Sequence, residues 1–138
     1  MKIVSGGQTG IDQMVLGAAF DLGHETGGWM PKGFLTEDGP QPDLEHTYNM
    51  KQCSSKSYPV RTEKNVVDSD FTVILNRVMG PGSKLTKRLC IKHGKACLIN
   101  PTLEEFKEHA QKSNVVNFAG TRGSRLSVAD KAYFCETL

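Results

Sequence analysis

Aromatic residues are scarce in this chain, with one tryptophan, three tyrosines and six phenylalanines among 138 residues. They are not interleaved with the basic residues, as they are where proteins stack single-stranded bases, and no known nucleic-acid motif is present. Nucleic acid is therefore not an expected partner. No apolar run approaches the roughly 18 residues that cross a bilayer, and no basic segment followed by a long apolar one opens the sequence. A cytoplasmic protein without membrane association is expected. The four cysteines, Cys53, Cys90, Cys97 and Cys135, show no CxxC spacing and no histidines at metal-ligand spacing, which argues against structural zinc and against a disulfide framework. Cys90 and Cys97 lie in periodic apolar segments and read as reduced packing thiols. Cys53 lies in a polar stretch and is the one thiol that reads as a candidate for ligand contact.

Net charge is small as well, 17 basic residues against 15 acidic, but it is unevenly spread. Residues 1–50 carry a net of −5, whereas residues 51–95 hold ten basic and three acidic side chains, a net of +7. A basic middle suits an anionic small molecule, although Lys84, Lys87, Arg88 and Lys92 also fit the solvated face of a helix.

What is abundant is glycine, and its placement is informative. A strand-like run, Lys2-Ile3-Val4-Ser5, breaks into Gly6-Gly7-Gln8-Thr9-Gly10 and then into a helical pattern. Such a turn lets the backbone approach a ligand, and the helix behind it presents unpaired N–H groups and the positive end of its dipole. Binding of an anion is the first functional expectation.

Strand and helix signals then alternate along a single domain covering residues 1–138, which predicts a doubly wound, mainly parallel sheet of about five strands with helices on both faces. Strands are expected near 2–5, 26–30, 71–75, 96–99 and 115–118. Helices are expected near 11–22, 61–68, 84–93, 103–112 and 125–137. The first helix places Ile11, Val15, Ala18, Ala19 and Leu22 on one stripe and stops at Gly23. Thr9 and Asp12 have capping-box spacing, and Ser83 reads as an N-cap. Leu103, Phe106 and Ala110 form the inward stripe of the fourth helix. The stretch from Pro31 to Pro59 reads as a long irregular segment, a lid over a site or an interface arm. Parallel strands point one way, so the turns after the first, third and fifth strands converge at one edge of the sheet, where ligands of doubly wound folds bind.

Candidate ligand contacts at that edge are Gly6, Gly7, Gln8, Thr9 and Gly10, then Gly82 and Ser83 with Lys84 beside them, then Thr121, Arg122 and Ser124. Phosphate and similar oxyanions want convergent N–H and guanidinium donors, which these residues supply. Arg61 and Asn65 are four apart and share a helix face. Glu63 between them is a carboxylate without a second acid, histidine or metal partner in sequence, a positioning group or a general base.

The blocks SGGQTGID at 5–12, GGWMPKG at 27–33, EDGP at 37–40, RTEKNVVDSD at 61–70, PGS with LT at 81–86, HGK at 93–95 and NFAGTRGS at 117–124 resemble, in order and over nearly the whole chain, the family known as putative molybdenum carriers. That family is similar to plant and algal molybdenum cofactor carrier proteins. It sits within a Rossmann-like nucleotide-binding group related to the cytokinin-activating and lysine decarboxylase-like proteins. The resemblance implies a Rossmann-like α/β fold, a homo-oligomer, dimer or tetramer, and a pocket for the molybdenum cofactor (molybdopterin) or a nucleotide-like ligand. By position it implies contacts from Gly6 to Gly10, from Trp29, Lys32 and Gly33, from Arg61, Glu63 and Asn65, and from Gly82 and Ser83. Trp29 would offer a flat face to the heterocycle and Lys32 an ammonium to its acidic groups. Phosphoribohydrolases of the wider group carry PGGxGTxxE, whereas here the turn reads Gly80-Pro81-Gly82-Ser83-Lys84-Leu85-Thr86 and no glutamate follows at the matching place. A binding or carrier protein is therefore the first reading. A nucleotide-processing hydrolase using Glu63, or a nucleotide-sensing protein, is the alternative.

Overall fold

A computed structural model describes residues 1–76 and 79–120. The expected strand at the start of the chain is β1 (Lys2–Ser5), followed by α1 (Ile11–Asp21) and β2 (Glu25–Met30). A short hairpin follows, β3 (Leu35–Thr36) with β4 (Gly39–Pro40), and then α2 (Leu44–Thr47) and β5 (Met50–Gln52). The second half runs α3 (Tyr58–Val67), β6 (Phe71–Leu75), α4 (Pro81–Lys92), β7 (Ala96–Ile99), α5 (Leu103–Ala110) and β8 (Val115–Gly120). The expected helix over 125–137, with Thr121, Arg122, Ser124 and Cys135, lies outside the described residues.

Six strands, one more than expected, form one sheet in the order β5-β2-β1-β8-β6-β7, and every pairing in it is parallel. The additional strand is β5, inside the stretch read as irregular. Of its three residues only Met50 is buried, so it carries no apolar run that would mark it in sequence. Instead of forming a featureless lid, residues 31–57 wrap the edge of the sheet, where Phe34, Leu44 and Met50 enclose a small second core with Leu16 and Met30.

The main core lies between the sheet and α1 and α5. Ile3, Phe71, Val73, Leu75, Val116 and Phe118 pack there against Ile11, Val15, Ala19 and Phe106. Alternation along the strands sends Thr72, Ile74 and Asn117 to the opposite face, beneath α3 and α4. There the Asn117 amide donates to Thr72 Oγ1 at 3.2 Å.

Helix ends differ from expectation in ways that bear on the site. α1 is capped by Gly10, not Thr9, and no side chain caps it; the Thr9 hydroxyl donates to Glu37 Oε1 at 2.6 Å instead. Asp12 does reach back, but to the N–H of Gln8 at 3.2 Å. α4 begins three residues early, at Pro81, with Gly80 as its uncapped N-cap. Pro81 loses nothing there, because an N1 amide has no helical partner. Ser83 therefore lies inside the first turn, where it takes a hydrogen bond from the Asn76 amide. α3 likewise starts early, at Tyr58, with Pro59 in its first turn. Leu22 and Leu103, expected on inward stripes, are 59 % and 37 % exposed at the ends of their helices. The stop at Gly23 is as expected: the N–H groups of Gly23 and His24 return to Phe20 and Ala19, the paired bonds of a Schellman end.

Two residues hold the sheet centre in place. Gly28 has φ +134, and a Cβ there would run into the backbone carbonyl of Ser5 on β1. Gly28→Ala should lower stability by about 3 kcal/mol in urea unfolding, whereas Gly23→Ala, strained at φ +82 but facing open space, should cost only about 1 kcal/mol. Asp70 accepts from the N–H groups of Asn114 and Val115 at 2.8 and 2.9 Å, first of all the Val115 bond, and these hold its carboxyl below the usual range. A depressed folded-state pKa contributes stability above the unfolded value, lost as pH falls through the folded one. Asp70→Asn should therefore cost up to about 1 kcal/mol at pH 7, its exposure considered, and the gap from wild type should close as the pH falls below the ordinary aspartate range in pH-dependent unfolding.

Candidate functional site

Because β1, β8 and β6 are neighbours and parallel, their C-terminal ends, with the turn after β1 and the start of α4, open at one end of the sheet. There they surround a cavity of about 100 Å³ lined by Gly6, Gln8, Thr9 and Asp12 from the first turn and α1. Tyr58, Arg61, Thr62 and Asn65 contribute from α3, Gly82, Ser83, Leu85 and Thr86 from α4, and residues 117–120 from β8. The volume is below the roughly 300–1,000 Å³ of a pocket that encloses a whole drug-sized ligand. It suits one oxyanion group with the rest of the ligand extending through the mouth.

Two helices start at this cavity without a side-chain cap, so their partial positive charges face it. The formal charges are Arg61 and Asp12, with guanidinium and carboxylate 3.9 Å apart and the side chains 13 % and 8 % exposed. They cancel, and the helix starts decide the local field. The Arg61 guanidinium also lies 5.5 Å from the Tyr58 ring centre. It approaches Gly6 so closely that a Cβ at that position would displace the guanidinium from the turn. Gln8 is 1 % exposed, and its amide donates to the carbonyls of Gly6 and Leu35 at 3.3 and 2.9 Å, tying the first turn to the β3–β4 hairpin. Among the described residues no group of three or more histidine, cysteine or acidic side chains could hold a metal ion.

Of the residues expected in the site, the structure brings Gly6, Gln8, Thr9, Arg61, Asn65, Gly82 and Ser83 to the cavity wall. Gly7 and Gly10 shape the same turn with φ of +68 and +90 but do not line the cavity, and neither does Lys84. Trp29 does not either. Its indole N–H donates to Asp68 at 2.8 Å, and Lys64 sits 4.5 Å from the ring centre, so its flat face is turned to the flank of α3. Lys32 is exposed and bonded through its backbone to Ser55, and Gly33 donates to Gln52, both outside the cavity. Glu63 accepts from Lys92 at 3.1 Å and meets His93 at 2.8 Å on the outer side of α3 and α4; the His93 bond, first, and the Lys92 bond lower its pKa. Two residues from Arg61, it projects about 200° around the helix. Cys53 is buried, not exposed, and lies outside the cavity, where loss of solvent raises its pKa. Arg122 is outside the described residues. Tyr58, Thr62, Thr86 and Asn117 were not singled out from sequence; the polar Asn117 within an apolar strand was the available signal.

Asn65 has a second duty. Its side chain accepts from Trp29 N–H at 2.8 Å and donates to Trp29 C=O at 3.1 Å, which completes the hydrogen bonding of β2 from α3.

A parallel sheet wound on both faces, with glycine turns and uncapped helix starts meeting over its central strands, defines a Rossmann-like α/β protein. The sequence matches the circularly permutated YpsA SLOG family over residues 3–134, and the chain belongs to that family. It is also similar to the crystal structure of a "putative molybdenum carrier protein" from Syntrophus aciditrophicus SB, with a TM-score of 0.83 and 33 % identity over 99 % of this chain and 90 % of that one. No curated protein matches it.

Removal of Asn65 separates scaffold from site. Asn65→Leu orphans two backbone groups of Trp29 and should cost about 2–4 kcal/mol in unfolding, accompanied by a shift in emission from the single tryptophan.

Proposed function

We propose that the protein binds and carries an anionic, phosphorylated heterocycle, with the molybdenum cofactor as its cargo. The observation that carries this reading is the meeting of the glycine turn after β1, the end of β8, two uncapped helix starts and a largely buried arginine at one small cavity. The similarity to a structure named as a molybdenum carrier supports the choice of cargo.

The donor set fits a phosphate. The first-turn amides of α4, at Gly82 and Ser83, and the glycine turn after β1 offer N–H groups. Arg61, oriented by Asp12 and the Tyr58 ring, offers a planar fork of donors. The half-buried Tyr58 supplies the aromatic surface assigned from sequence to Trp29. Molybdenum would travel on the sulfurs of the cofactor itself, since the described residues supply no ligand cluster. Within the cavity, the chain's part is to hold the phosphate and limit the access of water to it. Acid–base chemistry by Glu63 has no place in this arrangement, because that carboxylate faces Lys92 and His93.

Anaerobic titration with molybdenum cofactor tests the proposal. Arg61→Ala should weaken binding by about 1.5–3 kcal/mol, the scale of a charge-assisted hydrogen bond. Asp12→Asn, which removes the opposing charge, should strengthen it. Negligible binding by wild type and variants alike would overturn the carrier reading.

A further inference from the structure

Behind the cavity wall, the end of β6 supplies a second layer of polar groups. Side chains alternate along this strand, so Asn76, the residue after Leu75, turns to the α4 side, where it is 6 % exposed. Its side-chain N–H donates to Ser83 Oγ in the first turn of α4. The backbone of Asn76 is gripped in turn by Asn100, just past the end of β7. The Asn100 side chain accepts from Asn76 N–H at 3.0 Å and donates to Asn76 C=O at 2.7 Å. Asn100 N–H also bonds to Ile74 C=O at 2.8 Å, with φ +45, a left-handed conformation in which asparagine is enriched. A side-chain amide thus stands in for a strand neighbour where the ladder ends, and Asn76 is fixed through its backbone before its own side chain engages Ser83.

We propose that Asn76 is a positioning residue that makes the Ser83 hydroxyl a fixed donor to the bound oxyanion, with Asn100 locking Asn76 in place. This rests on the reading of the cavity as an anion site. A hydroxyl has one hydrogen and two lone pairs. One lone pair of Ser83 is occupied by the Asn76 amide, and among the described residues no acceptor takes the hydrogen, while Ser83 itself lines the cavity. The N–H groups of Gly82 and Ser83 beside it precede the first bond of the helix, Lys84 N–H to Gly80 C=O at 3.0 Å. Gly82 keeps this turn open, since a Cβ there would have no atom within 4 Å. An oxyanion at the turn therefore meets two amides and one hydroxyl, all of them donors. Released from Asn76, a helical serine turns its hydrogen back to a carbonyl of the preceding turn, away from the ligand. Holding the hydroxyl in advance removes an ordering cost from binding.

The test is calorimetric titration of the full chain with inorganic phosphate in a double-mutant cycle. Ser83→Ala should weaken phosphate binding about tenfold, the loss of one hydrogen bond to a charged group. Asn76→Ala leaves the backbone bonds to Asn100 in place; it should weaken binding about fivefold in wild type and not at all in the Ser83→Ala background, because its effect runs through that hydroxyl. In isotope-labelled wild type, the Asn76 side-chain amide signals should shift on phosphate addition with the same midpoint as the heat, a readout that needs no variant to fold. The proposal is overturned if Asn76→Ala binds phosphate as wild type does, if it weakens binding equally in both backgrounds, or if the amide signals stay in place at saturation. Absence of phosphate binding by wild type overturns it as well. Phosphate binding with the expected coupling, in a protein that takes up no molybdenum cofactor, would remove the cargo and leave Asn76 in its role.

Discussion

The position of β8 between β1 and β6 is the constraint on which the site depends. The last described strand of the chain enters the centre of the sheet, pairing with Lys2–Ser5 on one side and Phe71–Leu75 on the other. That insertion places the three strand ends, and the turns that leave two of them, at one level. Its register is pinned at the start, where Lys2 N–H bonds to Asn114 C=O, Asp70 N–H to Val115 C=O, and the Asp70 carboxylate to two further amides. A slip of one residue would turn Asn117 into the apolar core and Phe118 towards α4. The cavity wall and the core are thus set by the same hydrogen bonds.

Much of the fold was legible because apolar runs were bounded by clear punctuation. β1 ends at glycines, β6 at an asparagine and β7 at Asn100-Pro101, and their bounds agree with expectation. β5 was not legible because a three-residue edge strand with one buried side chain has no pattern to detect. The start of α4 was placed late because Ser83 was read as its N-cap, whereas Pro81 is compatible with the first turn, as Pro59 is in α3.

The site was legible where backbone carries it and less so where side-chain direction decides. Glycine turns after strands needed only topology to bring them together. Arg61 and Asn65, four apart, share the face that lines the cavity, and Glu63 two positions on from Arg61 cannot. Trp29 alternates along β2 with Met30, which faces α1 and the second core. The strand period therefore commits the indole to the α3 side, where Asp68 and Lys64 already engage it. Nearness in a motif did not mean nearness in space.

Charge counting would have misjudged this site. The basic middle of the chain is largely spent elsewhere: Lys92 on Glu63, Lys64 and Lys51 beside Trp29, and Lys95 on the carbonyls of Val67 and Ser69 that end α3. Among the described basic residues Arg61 alone lines the cavity, and Asp12 offsets it. The pull on an anion then comes from amides fixed at helix starts, acting within about one turn and sheltered from mobile ions, whereas exposed lysines attract at long range and are screened by salt. Such a site selects less by net charge than by whether an oxyanion can reach the first turn of α4 and Arg61 together. That geometric demand follows from Gly6, whose missing side chain lets the guanidinium approach the turn.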